Sequence, residues 1–409
     1  MNNYLERILA AVAPGESGAA PFDSLTLSSR YQPIFCAAEQ RPFGYEGLLV
    51  AYTAEGKPVA PHRVFDRAES SGQAVYLDWL SRALHLRNWR QLGESRGRLF
   101  LNVTPTAAIE DAHFARVFPA MLKAYDVDPR DVIVEILEMN VEEEPQLVEA
   151  VKMYKTLGCK VALDDFGAGA SEMKRFWRLR PDIVKIDRDV LRAASHDDHA
   201  LRVLKGVVRM MRDCAVQVVI EGAEDRHDAA VALDTNADFL QGYYFARPGG
   251  AAVNLDCVKE RFSGLLLPCD KLATHGAIEN PNAIHAEAIE ATAMALQTGA
   301  SFPSAIELLL SVPQAVRGYL MSRSGRLLAS SVHHLAYAHG DLDLSGGSGG
   351  GLGWQIVRIA RRAADEPGVI LRSSPHSALG MGLRCTTFSY GFPYNGNVAV
   401  LCADVVAAA

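Results

Sequence analysis

Between residues 30 and 250 the apolar positions fall into two alternating rhythms. Short, almost continuously hydrophobic runs recur: "RLFLNV" (98–103), "DVIVEI" (131–136), "KVAL" (160–163), "DIVKI" (182–186) and "VQVVI" (216–220). Between them lie stretches such as "PQLVEAVKMYKTLG" (145–158) and "HALRVLKGVVRMMRDC" (199–214), with apolar residues three and four apart. The first rhythm predicts strands buried on both faces and the second predicts helices that cover them. At least six such units over about 220 residues match the size of a (β/α) barrel. The competing doubly wound sheet would open on a glycine-rich first strand-to-helix turn, and no GxGxxG follows the early strands. The pattern therefore predicts an α/β barrel.

Each unit ends on a polar residue. Glu46 lies in "RPFGYEGLL", Asn102 closes "RLFLN", and Glu135 and Glu138 sit in "DVIVEILE". "KVALDDFG" stops on Asp164 and Asp165, "DIVKID" presents Lys185 and Asp187, "VQVVIEGAE" ends on Glu221 and Glu224, and "ADFLQGYYF" places Gln241. In a barrel the C-terminal ends of the strands converge on one mouth, where active sites assemble. One aspartate after a strand is explained by a helix N-cap. Two adjacent ones ask for a cation, because an unpaired carboxylate pair forces one pKa upward. Oxygen donors without Cys or His suit Mg²⁺, Mn²⁺ or Ca²⁺ rather than zinc. Glu46, Glu135, Asp164, Asp165 and Glu221 are more carboxylates than one ion needs, and they suit two ions that clamp a phosphoester under displacement.

Composition narrows the class. At 409 residues, 49% hydrophobic and 22% charged, the chain has room for two or three domains with ordinary cores. A net charge of -7 leaves no basic surplus for coating nucleic acid, though a small anionic ligand remains compatible. The seven scattered cysteines form no CxxC pair and read as free thiols in a reducing compartment. The N-terminus lacks a signal-peptide core and no run is long enough to span a membrane, so a cytoplasmic location is expected.

Taken in order, "YQPIF", "GYEGLL", "LFLNVTP", "VEILE", "DDFGAG", "VKIDRD", "EGAE" and "QGYYFARP" resemble the EAL domain of cyclic di-GMP phosphodiesterases, over about residues 22–250. The signature here reads Glu46-Gly47-Leu48, with Gly where Ala is usual. The resemblance implies a modified TIM (β/α)8-type barrel with one antiparallel strand, and hydrolysis of cyclic di-GMP to linear pGpG. It implies two Mg²⁺ or Mn²⁺ ions, with Ca²⁺ binding but inhibiting. Glu46, Asn102, Glu135 and Asp164 would hold the first ion; Asp164 would bridge to the second, joined by Asp165 and supported by Glu221. Lys185 would orient or deprotonate the attacking water, Gln241 would position water or metal, and Glu138 would tie down the loop after Asp165. Gln32, Leu48, Asn102, Asp165 and Gln241 would line the dinucleotide.

The alternative is a non-catalytic receptor that binds cyclic di-GMP and signals through protein partners; the complete ligand set favours the enzyme. Two departures bear on affinity. Val50 stands where the family usually has Arg or Lys reaching a substrate phosphate, and Ala168 and Ala170 alter the loop after the aspartates. A Val50→Arg change is expected to tighten binding unless another basic residue, with Lys174 and Arg175 nearest in sequence, fills the role.

The remaining chain predicts a helical extension (1–21), a helical connector (251–299) that includes "AIHAEAIEATAMALQ", and a small α+β unit (300–409). That unit opens on the helix "PSAIELLL" and the strand pair in "AVRGYLMSRSGRLLASS", then passes through a "SGGSGGG" loop and the helix "GWQIVRIARRAA" to a closing hairpin around Asn395-Gly396. It resembles a PAS or Cache-type sensor, whose ligand or protein partner is not legible, and a homodimer is expected. His333, His334 and His339 read as a solvated loop rather than a metal site.

Overall fold

The computed structural model describes residues 2–12, 18–37, 39–92, 97–113, 117–137, 144–167, 172–249, 254–265, 283–323, 327–333, 354–373, 376–377 and 384–406. Ten strands form the first sheet: β1 (Ala20–Phe22), β2 (Leu25–Cys36), β3 (Arg41–Tyr52), β4 (Pro58–Val59), β5 (Arg98–Val103), β6 (Val132–Ile136), β7 (Lys160–Phe166), β8 (Ile183–Ile186), β9 (Gln217–Ile220) and β10 (Phe239–Leu240). From β3 through β5, β6, β7, β8 and β9 to β10 neighbouring strands run parallel. β2 lies antiparallel to both β10 and β3 and so closes the barrel, with β1 and β4 as antiparallel flaps. The expected barrel with one reversed strand is what the chain forms.

The reversed strand shows how alternation sorts its side chains. On its outer face the Tyr31 hydroxyl donates to the His85 carbonyl at 2.8 Å, and Ser29 Oγ meets His85 Nδ1 at 2.7 Å, both on the helix Ala74–Arg90. Gln32 therefore points into the barrel. The glycine of the signature has a local cause as well. Gly47 faces the same helix, and a Cβ there would lie 3.0 Å from His85 Cγ. Burial holds the His85 imidazole down to about 4, with Glu46 opposing, so the ring packs as a neutral group.

A second sheet is antiparallel throughout: β11 (Ala315–Ser322), β12 (Leu327–His333), β13 (Ile370–Arg372), β14 (His376–Ser377), β15 (Arg384–Tyr394) and β16 (Asn397–Val406). Its order is β12-β11-β16-β15-β13, and β14 pairs with β15. The β15–β16 hairpin turns on Asn395 and Gly396, both at positive φ. One face packs Leu320, Phe388 and Leu401 against Ile289 and Leu296 of the helix Ala283–Gln297 and Ile306 and Leu309 of the helix Phe302–Leu310. The other face, with Tyr319, Met321 and Cys402, joins Ala360 and Ala363 of the helix Trp354–Asp365 in one hydrophobic cluster continuous with the barrel.

Two segments assigned to the connector are built into cores. Helix Leu255–Leu265 buries Phe262 against Phe35 and Phe245 of the barrel, and helix Ala283–Gln297 belongs to the second core. The helix Asn2–Ala11 seats Ile8 in the barrel cluster. Among the described residues, no helix is long and apolar enough to cross a membrane. The "SGGSGGG" loop, His334 and His339 lie outside the described residues.

Candidate active site

Strand ends bring the polar residues together at one mouth. The Lys185 ammonium, on β8, is 1% exposed and sits among four carboxylates. It lies 2.6 Å from Glu221, 2.9 Å from Glu135, 3.1 Å from Asp164 and 3.4 Å from Glu46. Glu46 is fixed from both sides: Asn102 Nδ2 donates to its Oε1 at 2.8 Å, and Gln241 Nε2 donates to its Oε2 at 2.7 Å. Gln241 Nε2 also lies 3.3 Å from Gln32 Oε1, which ties the reversed strand to the site. The parallel register explains the assembly, since Asn102 pairs with Glu135 between adjacent strands.

The adjacent aspartates need a special backbone. In a regular strand Asp164 and Asp165 would face opposite sides of the sheet. Here the β7–β8 pairing slips between Leu163 and Phe166, and Asp165 adopts φ 53°, in the left-handed region. Asp tolerates that region better than most residues. The irregularity brings carboxylate oxygens of Asp164, Asp165 and Glu221 within 4.8 Å of one another.

Such crowding displaces the ionisation of every member. Burial, together with the charges of Asp164 and Glu46, pushes Glu221 up to about 8, against the pull of Lys185. Burial and then Asp164 push Asp165 up to about 6. Glu135 is raised well above its ordinary value and Asp164 is raised, burial being the main cause in both and Lys185 opposing. Burial would raise Glu46 too, but Lys185 and the hydrogen bonds from Gln241 and Asn102 carry it below its usual value. Burial works against the Lys185 charge, and the surrounding carboxylates overcome it and hold the ammonium firmly protonated.

One lysine cannot satisfy this much negative charge. Both Glu135 oxygens and Gln241 Oε1 are buried without a hydrogen-bond partner, so for Glu135 the ion pair with Lys185 is the sole compensation among the described residues. Buried oxygens of that kind fit hard divalent cations.

The mouth opens into a cavity of about 290 Å³ that Gln32, Glu46, Asp165, Lys185, Glu221 and Gln241 help to line. Sequence reasoning did not single out Arg188 or Tyr243, which also line it. Their signal was proximity to "VKID" and to Gln241. Tyr243 is 43% exposed, with the Arg247 guanidinium 4.4 Å from its ring centre. Asp187 caps the helix Arg188–His196, accepting from Asp189 N at 2.7 Å. Leu48, half-buried, shares the inward face of β3 with Glu46 by alternation. Glu138, Ala168 and Ala170 lie outside the described residues. A larger cavity of about 640 Å³, lined by Arg90, Lys123, Asp128 and Arg130, sits by the loops that enter β6 and β7 and lacks the carboxylate cluster.

Comparison with known proteins agrees with this geometry. The EAL domain family matches residues 21–248. Cyclic di-GMP phosphodiesterase NbdA of Pseudomonas aeruginosa is 26% identical over 237 residues, which are 54% of this chain and 29% of that protein. The chain thus spans less than a third of that relative's length. Among solved structures, a standalone EAL protein from Vibrio cholerae O395 in its c-di-GMP bound form is 25% identical, with a TM-score of 0.51 over 57% of this chain and 96% of that one. A manganese and cyclic di-GMP complex of BlrP1 from Klebsiella pneumoniae is 25% identical, with a TM-score of 0.50 over 58% of each chain. The reversed strand, the carboxylate-ringed mouth and the family match over more than half of its length all agree: this chain belongs to the EAL domain family.

Proposed function

We propose that the mouth binds cyclic di-GMP and hydrolyses one of its phosphodiesters to linear pGpG with two divalent ions, Mg²⁺ or Mn²⁺. The observation that carries this reading is the cluster of buried carboxylates around Lys185, whose Glu135 oxygens have no hydrogen-bond partner. Glu46, Asn102, Glu135 and Asp164 would hold one ion, and Asp164, Asp165 and Glu221 the other. When bound, the ions supply Lewis acidity to the phosphate oxygens.

The chain's own groups do the positioning. Without ions the surrounding carboxylates hold Lys185 as an ammonium; beside bound ions it would orient or deprotonate the attacking water. Gln241 spends its Nε2 on Glu46 and Gln32 and keeps Oε1 free to accept from that water. Asn102 donates its Nδ2 to Glu46, which leaves its Oδ1 as the ligand oxygen. Gln32 and Leu48 form the wall beneath the dinucleotide, and the exposed Tyr243 ring gives a guanine a surface to stack on. Glu138 remains assigned to the loop after Asp165. The solved relatives that hold cyclic di-GMP, one of them with manganese, support the substrate and the metal class.

Ca²⁺ should support binding without turnover, because its looser coordination positions water poorly. The C-terminal sheet would act as a PAS- or Cache-like regulatory unit on a cytoplasmic homodimer. Incubation of purified protein with cyclic di-GMP and Mg²⁺ or Mn²⁺, followed by chromatography, should yield pGpG. Binding without product under every divalent metal would replace the enzyme with a receptor that signals through protein partners.

A further inference from the structure

We propose that Arg30 is a substrate-binding residue that grips the phosphodiester of cyclic di-GMP not undergoing cleavage; the inference rests on reading the mouth as a cyclic di-GMP site. In the β2–β3 pairing Gln32 stands opposite Glu46, Arg30 opposite Leu48 and Ser28 opposite Val50, with no slip until Ile34. Ser29 and Tyr31 are committed to the outer helix, so Arg30 and Gln32 share the inward face. Because β2 runs against the other strands, stepping back from Gln32 to Arg30 moves toward the open mouth. That step places Arg30 about 7 Å beyond Gln32, within the span of an arginine side chain.

Charge makes the position consequential. Cyclic di-GMP carries two phosphodiesters, and the carboxylate centre with its ions serves the one being cut. The second arrives at a mouth lined by Asp165, Asp187, Glu221 and Glu224, where Lys185 is already consumed by carboxylates and Arg188 lies 3.9 Å from Asp189. Arg175 is buried and donates to the Leu137 carbonyl at 2.9 Å, so it does not reach that phosphate. Arg30 is exposed and makes no ion pair or hydrogen bond with any described residue. Its planar fork can bind a phosphate through two parallel hydrogen bonds. Val50, diagonal to it across the strand pair, supplies no charge, so Arg30 delivers from β2 what a basic residue at 50 would deliver from β3.

The test compares wild type, Arg30→Ala, Arg30→Lys and Arg30→Ala/Val50→Arg in the full chain, using Mn²⁺ kinetics and Ca²⁺-supported binding of cyclic di-GMP. Arg30→Ala should raise KM and Kd about 10- to 100-fold, the size of one charge-assisted contact. It should leave kcat within about threefold, since ground and transition states share the contact. Lysine should recover part of the affinity, and Val50→Arg should recover most of it in the alanine background. An Arg30→Ala affinity within about twofold of wild type, or a fall in kcat at constant KM, overturns the inference and leaves the enzyme standing. A wild type that neither binds nor cuts the dinucleotide overturns both.

Discussion

Replacing Lys185 by methionine removes the internal counter-ion of the site and keeps its volume. Four carboxylates within 3.4 Å of Nζ then face one another in a buried space. Removing one partner of a buried ion pair costs about 3–5 kcal/mol, and metal-free Lys185→Met should lose stability in that range at pH 8. The pH dependence gives the sharper signature. Carboxylates whose folded pKa is raised bind more protons folded than unfolded, so stability falls as pH climbs from their unfolded to their folded values. In the metal-free wild type Glu221, raised to about 8 by burial and neighbouring charge, and Asp165, raised by the same causes to about 6, already act in that direction. Glu135 and Asp164 are raised as well, and loss of the ammonium deepens the effect there and extends it to Glu46, so most of the deficit should vanish by pH 5. Saturating Mn²⁺ should also recover much of it, because the ions replace the missing positive charge. Urea unfolding at pH 5 and 8, in chelator and in Mn²⁺, measures all of this. A metal-free variant within about 1 kcal/mol of wild type at pH 8 would refute the account of Lys185 as counter-ion.

Three further outcomes are expected. Mn²⁺ affinity should rise steadily from pH 6 to 8.5 as Asp165 and Glu221 release protons to the ion, measured by calorimetry in two buffers; a flat profile would separate these groups from the metal. Glu46→Ala and Asp164→Ala should each abolish pGpG formation while circular dichroism stays unchanged, and chelation should mimic them reversibly; retained turnover would remove that residue from the ligand set. A chain ended after residue 265 should keep Phe262 and bind cyclic di-GMP, yet melt lower than the full chain because it exposes surface shared with the second sheet. An unchanged melting temperature would show that the shared cluster adds nothing.

The barrel was legible because its strands are apolar on both faces, and the site because each polar residue interrupts one of those runs. The direction of β2 was readable only through resemblance: "LTLSSRYQPIF" alternates as a strand would in either orientation. Arg30 was overlooked for the same reason, since its distance from Val50 exists only once the register of two antiparallel strands is set. The alanine-rich "AIHAEAIEATAMALQ" reads as a helix suited to a connector, and the sheet that its Ile289 and Leu296 cover is visible only in the folded chain. The reason for Gly47 was not legible, because the His85 ring that would crowd a Cβ there comes from a helix later in the chain.

The slipped pairing at Asp165 has a practical consequence for anyone who would move this centre to another scaffold. The dipeptide Asp-Asp is not the transferable unit: set into an ideal strand, its second carboxylate would project to the opposite side and leave the ion half-dressed. What must be transplanted is the irregularity itself, a left-handed Asp165 with Gly167, two residues later, also at positive φ. Search templates and engineered mimics should therefore be keyed to that backbone kink first, and to acidic letters second.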